Sequence, residues 1–404
     1  MKKSTLFIII SVIVIIGLVG FYFFLQTQNE SGNASKDKKF LGIFPLGEDG
    51  ENGGVANDNT EDTNDLEELD ENSVMEEPLI PRFRQISSGK VSGFKVFEKE
   101  GASTTIMFIE RDTGHIFKAQ TDDLKVERIS NTTIPKIREV FWFNNEDSLV
   151  IRYLDAKDTI KSFVANIKKE EDGSYSLESE ILPNNITSGD THNDLFVSVV
   201  EDLSGSSIKT YNNNAEENLV LVSPLKEWLI DAWGTRSVSI QNKPSYIATS
   251  NLYFLNTTSG SLTKIISGIR GLTSKTSPDG SFVFYSSGGT NSLSSYVYDV
   301  EKEETISLSV SSLGDKCTWD GLIKIYCGVP SSVNGRLPDD WYKGLVSFND
   351  SIWSIDIESG IVKNILVPEE EGVSIDIIKP EVVGDFLYFI NKKDSSFWSL
   401  MLGD

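Results

Sequence analysis

The sequence predicts an all-β fold, a seven-bladed β-propeller with six or eight blades as the neighbouring counts, preceded by one transmembrane helix and an acidic linker. Three observations predict it. Beyond residue 80 the apolar residues alternate with polar ones in short runs, a strand end recurs at intervals mostly in the forties, and turn residues fall at matching places within each interval. Alternation has the period of a strand, and a repeat of that length with about four strands is the pattern of propeller blades.

The chain opens with the segment that sets its expected location. Residues 5–25, TLFIIISVIVIIGLVGFYFFL, hold no charge over 21 residues, enough at 1.5 Å per residue for a hydrocarbon layer of about 30 Å. The stretch ends in Phe21, Tyr22, Phe23, Phe24 and Leu25, whereas a cleaved signal peptide ends in small residues after a shorter apolar core. An uncleaved anchor is the expectation. Lys2 and Lys3 adjoin the span, while Lys36, Lys38 and Lys39 lie well beyond it. That balance puts residues 1–4 in the cytoplasm and the propeller on the extracytoplasmic side of a cell membrane crossed once.

Residues 26–80 hold 15 acidic residues against three lysines. Runs such as EDTNDLEELDENSVMEE offer too little apolar surface to offset the entropy of ordering, so a disordered spacer is expected. About half of the chain's net charge of −23 sits there. No basic cluster exists to release counterions from a phosphate backbone, which excludes nucleic acid as a partner. With two cysteines in 404 residues, neither a disulfide framework nor a Cys-rich zinc site is available.

The repeat occupies residues 81–404. Runs such as TIMFIE, SLVIRYL, LFVSVV, FVFYSS and SIWSIDI read as strands, and no segment sustains a helical period. Strand ends recur at Ile86-Ser87, Ile129-Ser130, Ile181-Leu182, Val222-Ser223, Ile266-Ser267, Leu308-Ser309 and Leu366-Val367, with spacings of 43, 52, 41, 44, 42 and 58. First turns follow at 98–101, 144–147, 277–280, 319–321 and 384–385, and second turns such as RDTG at 111–114 and NKKD at 391–394. Two sandwiches in tandem would give no such regular spacing. The last unit has three strands, ending in SSFWSLML, and RFRQIS at 82–87 precedes any blade. RFRQIS is therefore expected to supply the outer strand of the final blade and close the ring, leaving no open edge.

SPDGSFVFYSS at 277–287 resembles the strand-turn-strand motif of TolB-like and WD40-like propeller repeats of bacterial envelope proteins. The wider pattern, with RQISSGKVSGF, ERDTGHIFKA, KCTW, PDDWYKGLVSFNDSIWSID and INKKDSSFWSL, resembles a family of exported, membrane-anchored propellers from ultra-small bacteria. The resemblance implies a fold and an anchor, and no activity.

Groupings that carry chemistry are sparse. His115 opens a strand after a turn glycine and reads as a structural residue. His192 lies near Asp190 and Asp194 in SGDTHNDLF, a spacing that polar turns share with cation sites. No metal ligand, cofactor or catalytic residue is assigned. The motifs G-x-S-x-G and H-E-x-x-H are absent, and sixty acidic residues make some close carboxylate pairs inevitable. Cys317 and Cys327 fall on adjacent strands of one hairpin, sharing their alternation with Trp319, Ile323 and Ile325. They form a cross-strand disulfide in an oxidising compartment or stay as two buried thiols.

The distinctive local feature is an insertion at 328–347, GVPSSVNGRLPDDWYKGLVS, between the second and third strands of the sixth unit. It marks Asp339, Asp340, Trp341 and Tyr342 as partner-binding candidates, because exposed Trp and Tyr anchor partners or stack on sugars. Capping of the blade's own core is the alternative. The expected function is a membrane-anchored binding or scaffolding module with a protein or glycan partner in the cell envelope; the other reading is a glycan hydrolase or lyase using paired carboxylates.

Overall fold

A computed structural model describes residues 80–403 apart from residues 100, 101, 172 and 174. The expected span at 5–25 and the linker up to residue 79 lie outside the described residues. No described helix is long and apolar enough to cross a membrane.

The described strands form seven antiparallel sheets of four strands each, the blades of a propeller. Their first strands, which line the centre, are Val91–Lys99, Ile137–Trp142, Ile186–His192, Trp228–Gly234, Thr273–Thr276, Cys317–Asp320 and Ile377–Val383. All seven strand ends read from the sequence belong to, or directly follow, the outer strand of a blade.

Period-two patterning explains how the blades cohere. Blades pack face to face, so neighbouring residues of one strand enter different cores. Phe196 joins Phe143, Val150 and Val164 of blade two, whereas Val197 joins Trp228, Val238 and Ile240 of blade four. Val283 and Phe284 divide between blades four and six in the same way, and Tyr388 and Phe389 between blades one and six. Second strands such as Ser148–Leu154 are consequently buried on both faces, while the outer strand Val126–Arg128 is exposed throughout. Each large side chain buried this way stabilises the ring by roughly 1.5–3 kcal/mol.

The ring closes through its first strand. Phe83–Ser87 pairs antiparallel with Phe397–Met401, with Phe83 opposite Leu400 and Gln85 opposite Trp398. The Phe83 ring stacks on Trp398 at 4.8 Å. Two segments from opposite ends of the described chain thus complete one blade, and neither keeps a free edge on that side.

Strand direction alternates within each blade. The loops between second and third strands therefore share one face with the connections between blades, here termed the insertion face. The opposite face carries the first turns. In SPDG the Asp279 carboxylate accepts from the Ser281 backbone N–H and hydroxyl. Gly280 has φ +79, and a Cβ there would sit 2.5 Å from the Trp233 ring, so only glycine fits.

Candidate functional site

The seven first strands surround a central channel without hydrogen-bonding to one another as a sheet. Side chains cap their free backbone groups instead. Asp190 Oδ2 accepts from Ala232 N at 2.9 Å, and one blade on, Asp231 Oδ2 accepts from Thr276 N at 3.1 Å. Ser188 Oγ accepts from Ile230 N, and Asp350 Oδ2 from Ile377 N at 2.7 Å. Ser188, Asp190 and Asp231 on the inward strands, and Asp350 at the start of the third strand of blade six, thereby replace the ladder that a closed barrel would use.

Of the titratable side chains near the channel, Asp190 and Lys275 are half-buried, whereas Asp315, Tyr342 and Lys379 are exposed. Burial pushes the Asp190 carboxyl up, and nearby Asp231 adds to the effect. Burial opposes the charge on Lys275, yet Asp231, bonded at 2.6 Å, and Asp190 hold its ammonium above the usual lysine range. Lys95 pairs with Glu381, and Arg152 with Glu139. Burial and the neighbouring Lys95 lower the His192 imidazole, which is therefore neutral at pH 7.

The insertion, residues 331–349, crosses the insertion face from blade six over blade five to blade four. Leu337 N donates to Gly289 O, and Gly335 N to Asn291 Oδ1. Tyr246 N of blade four donates to Asp339 Oδ2 at 2.7 Å. Arg336 grips Asp340 through two side-chain bonds and covers the Tyr246 ring at 5.5 Å. Beneath the short helix Asp339–Tyr342 lie Leu293, Leu313, Leu337 and Phe348.

A buried charge cluster fixes this strap. Lys316 is fully buried between Asp350, at 2.6 Å, and Asp376. Asp376 also accepts the Trp341 indole N–H at 3.0 Å, the Ser347 hydroxyl at 3.0 Å and the Phe348 backbone N–H at 3.1 Å. Burial works against charge on Asp376, but Lys316 and these donors hold its carboxyl below the ordinary value. Asp350 has fewer donors, and its Oδ1 has none. Burial pushes its carboxyl up to about 6, with Lys316 opposing and the Asp376 charge assisting.

The four candidates from the insertion thus have different surroundings. Trp341 is only 2 % exposed and faces inward, because its indole N–H reaches the buried Asp376 carboxylate. Asp339 and Asp340 serve Tyr246 and Arg336. Tyr342 keeps 40 % exposure, and its hydroxyl donates to Asp315 at 2.6 Å at the mouth of the channel.

Cys317 and Cys327 stand opposite each other in one hairpin and are joined by a disulfide. Trp319 and Ile325 pack beside them, whereas Ile323 lies in the turn and is exposed. His192, Asp190 and Asp194 do not converge. Asp190 is committed to backbone N–H groups, Asp194 is exposed next to Asn193, and His192 borders a cleft of about 410 Å³ on the first-turn face with Trp233, Arg236 and Asp279. Among the described residues no group of three such side chains is placed to hold a metal. Lys275, Lys316 and Lys379 belong to no sequence motif; the one signal they share is a charged residue recurring in or just before the first strand of successive units.

Neither a protein-family model nor a curated protein matches the chain. Among solved structures it is similar to virginiamycin B lyase from Staphylococcus aureus at 12 % identity, covering 80 % of this chain and 98 % of that one with a TM-score of 0.49. It is similar to an oligogalacturonate lyase in complex with manganese at 11 % identity, over 78 % and 97 % of the two chains with a TM-score of 0.47. A putative TolB from Agrobacterium tumefaciens is similar at 14 % identity over 59 % and 83 %, with a TM-score of 0.38. Likeness at this level concerns fold alone, and the seven four-stranded sheets already give that fold.

Proposed function

We propose that the chain is a membrane-anchored extracytoplasmic module that binds or scaffolds a protein or glycan partner of the cell envelope, of the kind found in exported propellers of ultra-small bacteria. One observation carries the reading: the strap from blade six, bonded to blades four and five and to the start of blade seven, holds Tyr342 at 40 % and Leu345 at 66 % exposure on the insertion face. Ile247, 68 % exposed, lies on that same face in the blade-four loop that meets the strap. Large apolar and aromatic groups on a rigid platform suit partner binding, since little side-chain entropy is lost on contact. The anchor at 5–25 and the acidic linker support a location outside the cytoplasm with some reach.

Crosslinking on intact cells followed by mass spectrometry tests the reading. Partner crosslinks are expected through the insertion face and should fall in Tyr342→Ala and Leu345→Asp. Undiminished crosslinking in both variants would move the partner to another face.

A second reading, glycan hydrolysis or elimination through paired carboxylates, draws on Asp190 and Asp231. They lie on adjacent first strands in a water-accessible channel, and the Asp190 carboxyl is raised. Turnover of envelope polysaccharides by the purified chain, abolished in Asp190→Asn, would establish it. Inactivity across a broad panel would remove it.

A further inference from the structure

The cleft on the first-turn face joins the first turns of blades three, four and five. It holds about 410 Å³, within the range of about 300–1,000 Å³ usual for small-molecule sites. His192 borders it from the end of the first strand of blade three, and Asp279 from the SPDG turn of blade five. Trp233, Thr235, Arg236 and Ser237 border it from the hairpin between them.

Trp233 is held in place from several sides. Its indole N–H donates to Ser239 Oγ at 2.9 Å, and that hydroxyl is bonded to Thr276 Oγ1 at 2.6 Å. The Phe254 ring lies tilted against it at 4.8 Å, and the missing Cβ of Gly280 makes room for its edge. The hairpin register shifts between Ala232 and Gly234. Trp233 is therefore the unpaired residue of a bulge, a device that redirects a side chain. Trp142 and Trp319, near the ends of the corresponding strands in blades two and six, are buried, whereas Trp233 is half-buried at the cleft. With its N–H engaged by protein, the indole offers a ligand ring surface alone.

The polar groups around it have hydrogen-bonding capacity to spare. Among the described residues the side chains of His192, Thr235, Arg236 and Ser237 make no hydrogen bond or ion pair with protein. The neutral His192 imidazole supplies one donor and one acceptor. Burial opposes charge on Asp279, but hydrogen bonds from Ser281 and Ser277 hold its carboxyl below the ordinary value, so it is ionised at pH 7. One cation and one anion thus share the cleft with an imidazole and two hydroxyls. An anionic ligand would meet Asp279 and a cationic one Arg236. A neutral ligand whose hydroxyls both donate and accept suits both, and its C–H faces suit an indole ring.

We infer that this cleft binds a neutral pyranose unit of a glycan, a hexose or N-acetylhexosamine, packed on Trp233 with its hydroxyls bonded to Arg236, Asp279 and His192. A planar guanidinium and a carboxylate can each engage two neighbouring hydroxyls, which gives orientation as well as affinity.

Cellobiose, lactose, mannobiose and N,N′-diacetylchitobiose are titrated separately into the purified full chain in mild detergent, with heats followed by calorimetry. Cellobiouronate, the carboxylated counterpart of cellobiose, is the charged arm. Saturable binding of at least one neutral disaccharide is expected, tighter than that of cellobiouronate. Trp233→Ala and Arg236→Ala should each weaken it roughly ten-fold or more, while Trp233→Phe, which keeps a ring, should bind within a few-fold of the wild type. Absence of saturable binding of every neutral disaccharide overturns the site, as does binding of cellobiouronate alone. Equal binding in folded Trp233→Ala, judged by near-UV circular dichroism, overturns it too. Should that variant not fold, equal binding in Arg236→Ala, a change at an exposed turn residue, overturns it likewise. Tyr342→Ala and Leu345→Asp alter the opposite face and should leave sugar binding unchanged, so loss of envelope crosslinks and loss of sugar binding are separate results.

Discussion

The indole N–H of Trp341 donates to Asp376, 35 residues further along the chain, at 3.0 Å. This bond joins the strap of blade six to the start of blade seven, and with Lys316 on the same carboxylate it turns a surface insertion into part of the core. Trp341→Ala should therefore destabilise the propeller by about 3–5 kcal/mol, the usual range for emptying a buried aromatic site. Trp341→Phe, which keeps a ring but removes one donor from Asp376, should cost about 1–3 kcal/mol. Guanidinium unfolding followed by intrinsic fluorescence measures both. An unmoved midpoint in Trp341→Ala would mean that the strap packs independently of the ring.

Asp350 gives the same cluster a pH dependence of definite sign. Its carboxyl rises from an ordinary 3.8 to about 6 on folding, chiefly through burial. The folded chain therefore holds this proton more tightly than the unfolded chain. The associated stability is complete below pH about 4 and is lost as pH rises to about 6, amounting to about 3 kcal/mol. Asp376, held low, acts in the opposite sense, losing its contribution only as pH falls below the ordinary carboxylate range. The stability of the wild type minus that of Asp350→Asn should decline between pH 4 and 6. A flat difference across that window would show that Asp350 is ionised throughout.

Closure of the ring rests on five residues, Phe83–Ser87, paired with the last strand. Deleting residues 81–90 should expose the edge of Phe397–Met401 and lower the thermal midpoint of the whole propeller, with aggregation through the open edge. Phe83→Ala, which removes the ring stacked on Trp398, should cost about 2–4 kcal/mol. A truncated chain that melts at the wild-type temperature would show that the seventh blade is stable with three strands.

The disulfide closes a loop with a sequence separation of 10. Chain entropy alone makes such a closure worth roughly 2–3 kcal/mol. Adding dithiothreitol, or replacing both cysteines by alanine, should lower the denaturation midpoint accordingly. Equal midpoints with and without reductant would indicate that the cysteines act as packed thiols.

The fold was largely legible because a propeller is a repeat of local patterns. Alternation marks strands, Gly-, Asn- and Asp-rich turns mark their ends, and the spacing of outer-strand ends counts blades. Even the closure was readable, since RFRQIS was one strand too many at the start and SSFWSLML left one too few at the end. The strap was visible as a spacing of 58, the longest of the six. Its exposure was not. Trp341 carries the same code whether it faces solvent or a carboxylate, and Asp376 lies in a different blade.

The channel shows the same division. His192 and Asp190 are neighbours in sequence, but strand geometry commits Asp190 to a backbone N–H of the next blade and leaves His192 at a cleft on the first-turn face. Lys316 and Asp376, 60 positions apart, belong to no motif. Sequence by itself determined the period, and with it an expected count of seven blades, with six or eight as the neighbouring counts, and the closing strand, because these follow from patterns repeated every two or every forty-odd residues. Tertiary structure alone decided which charges meet in the channel. Ring closure places side chains from non-neighbouring blades around one axis, and no local pattern records whether an inward lysine will find a carboxylate or be left without one.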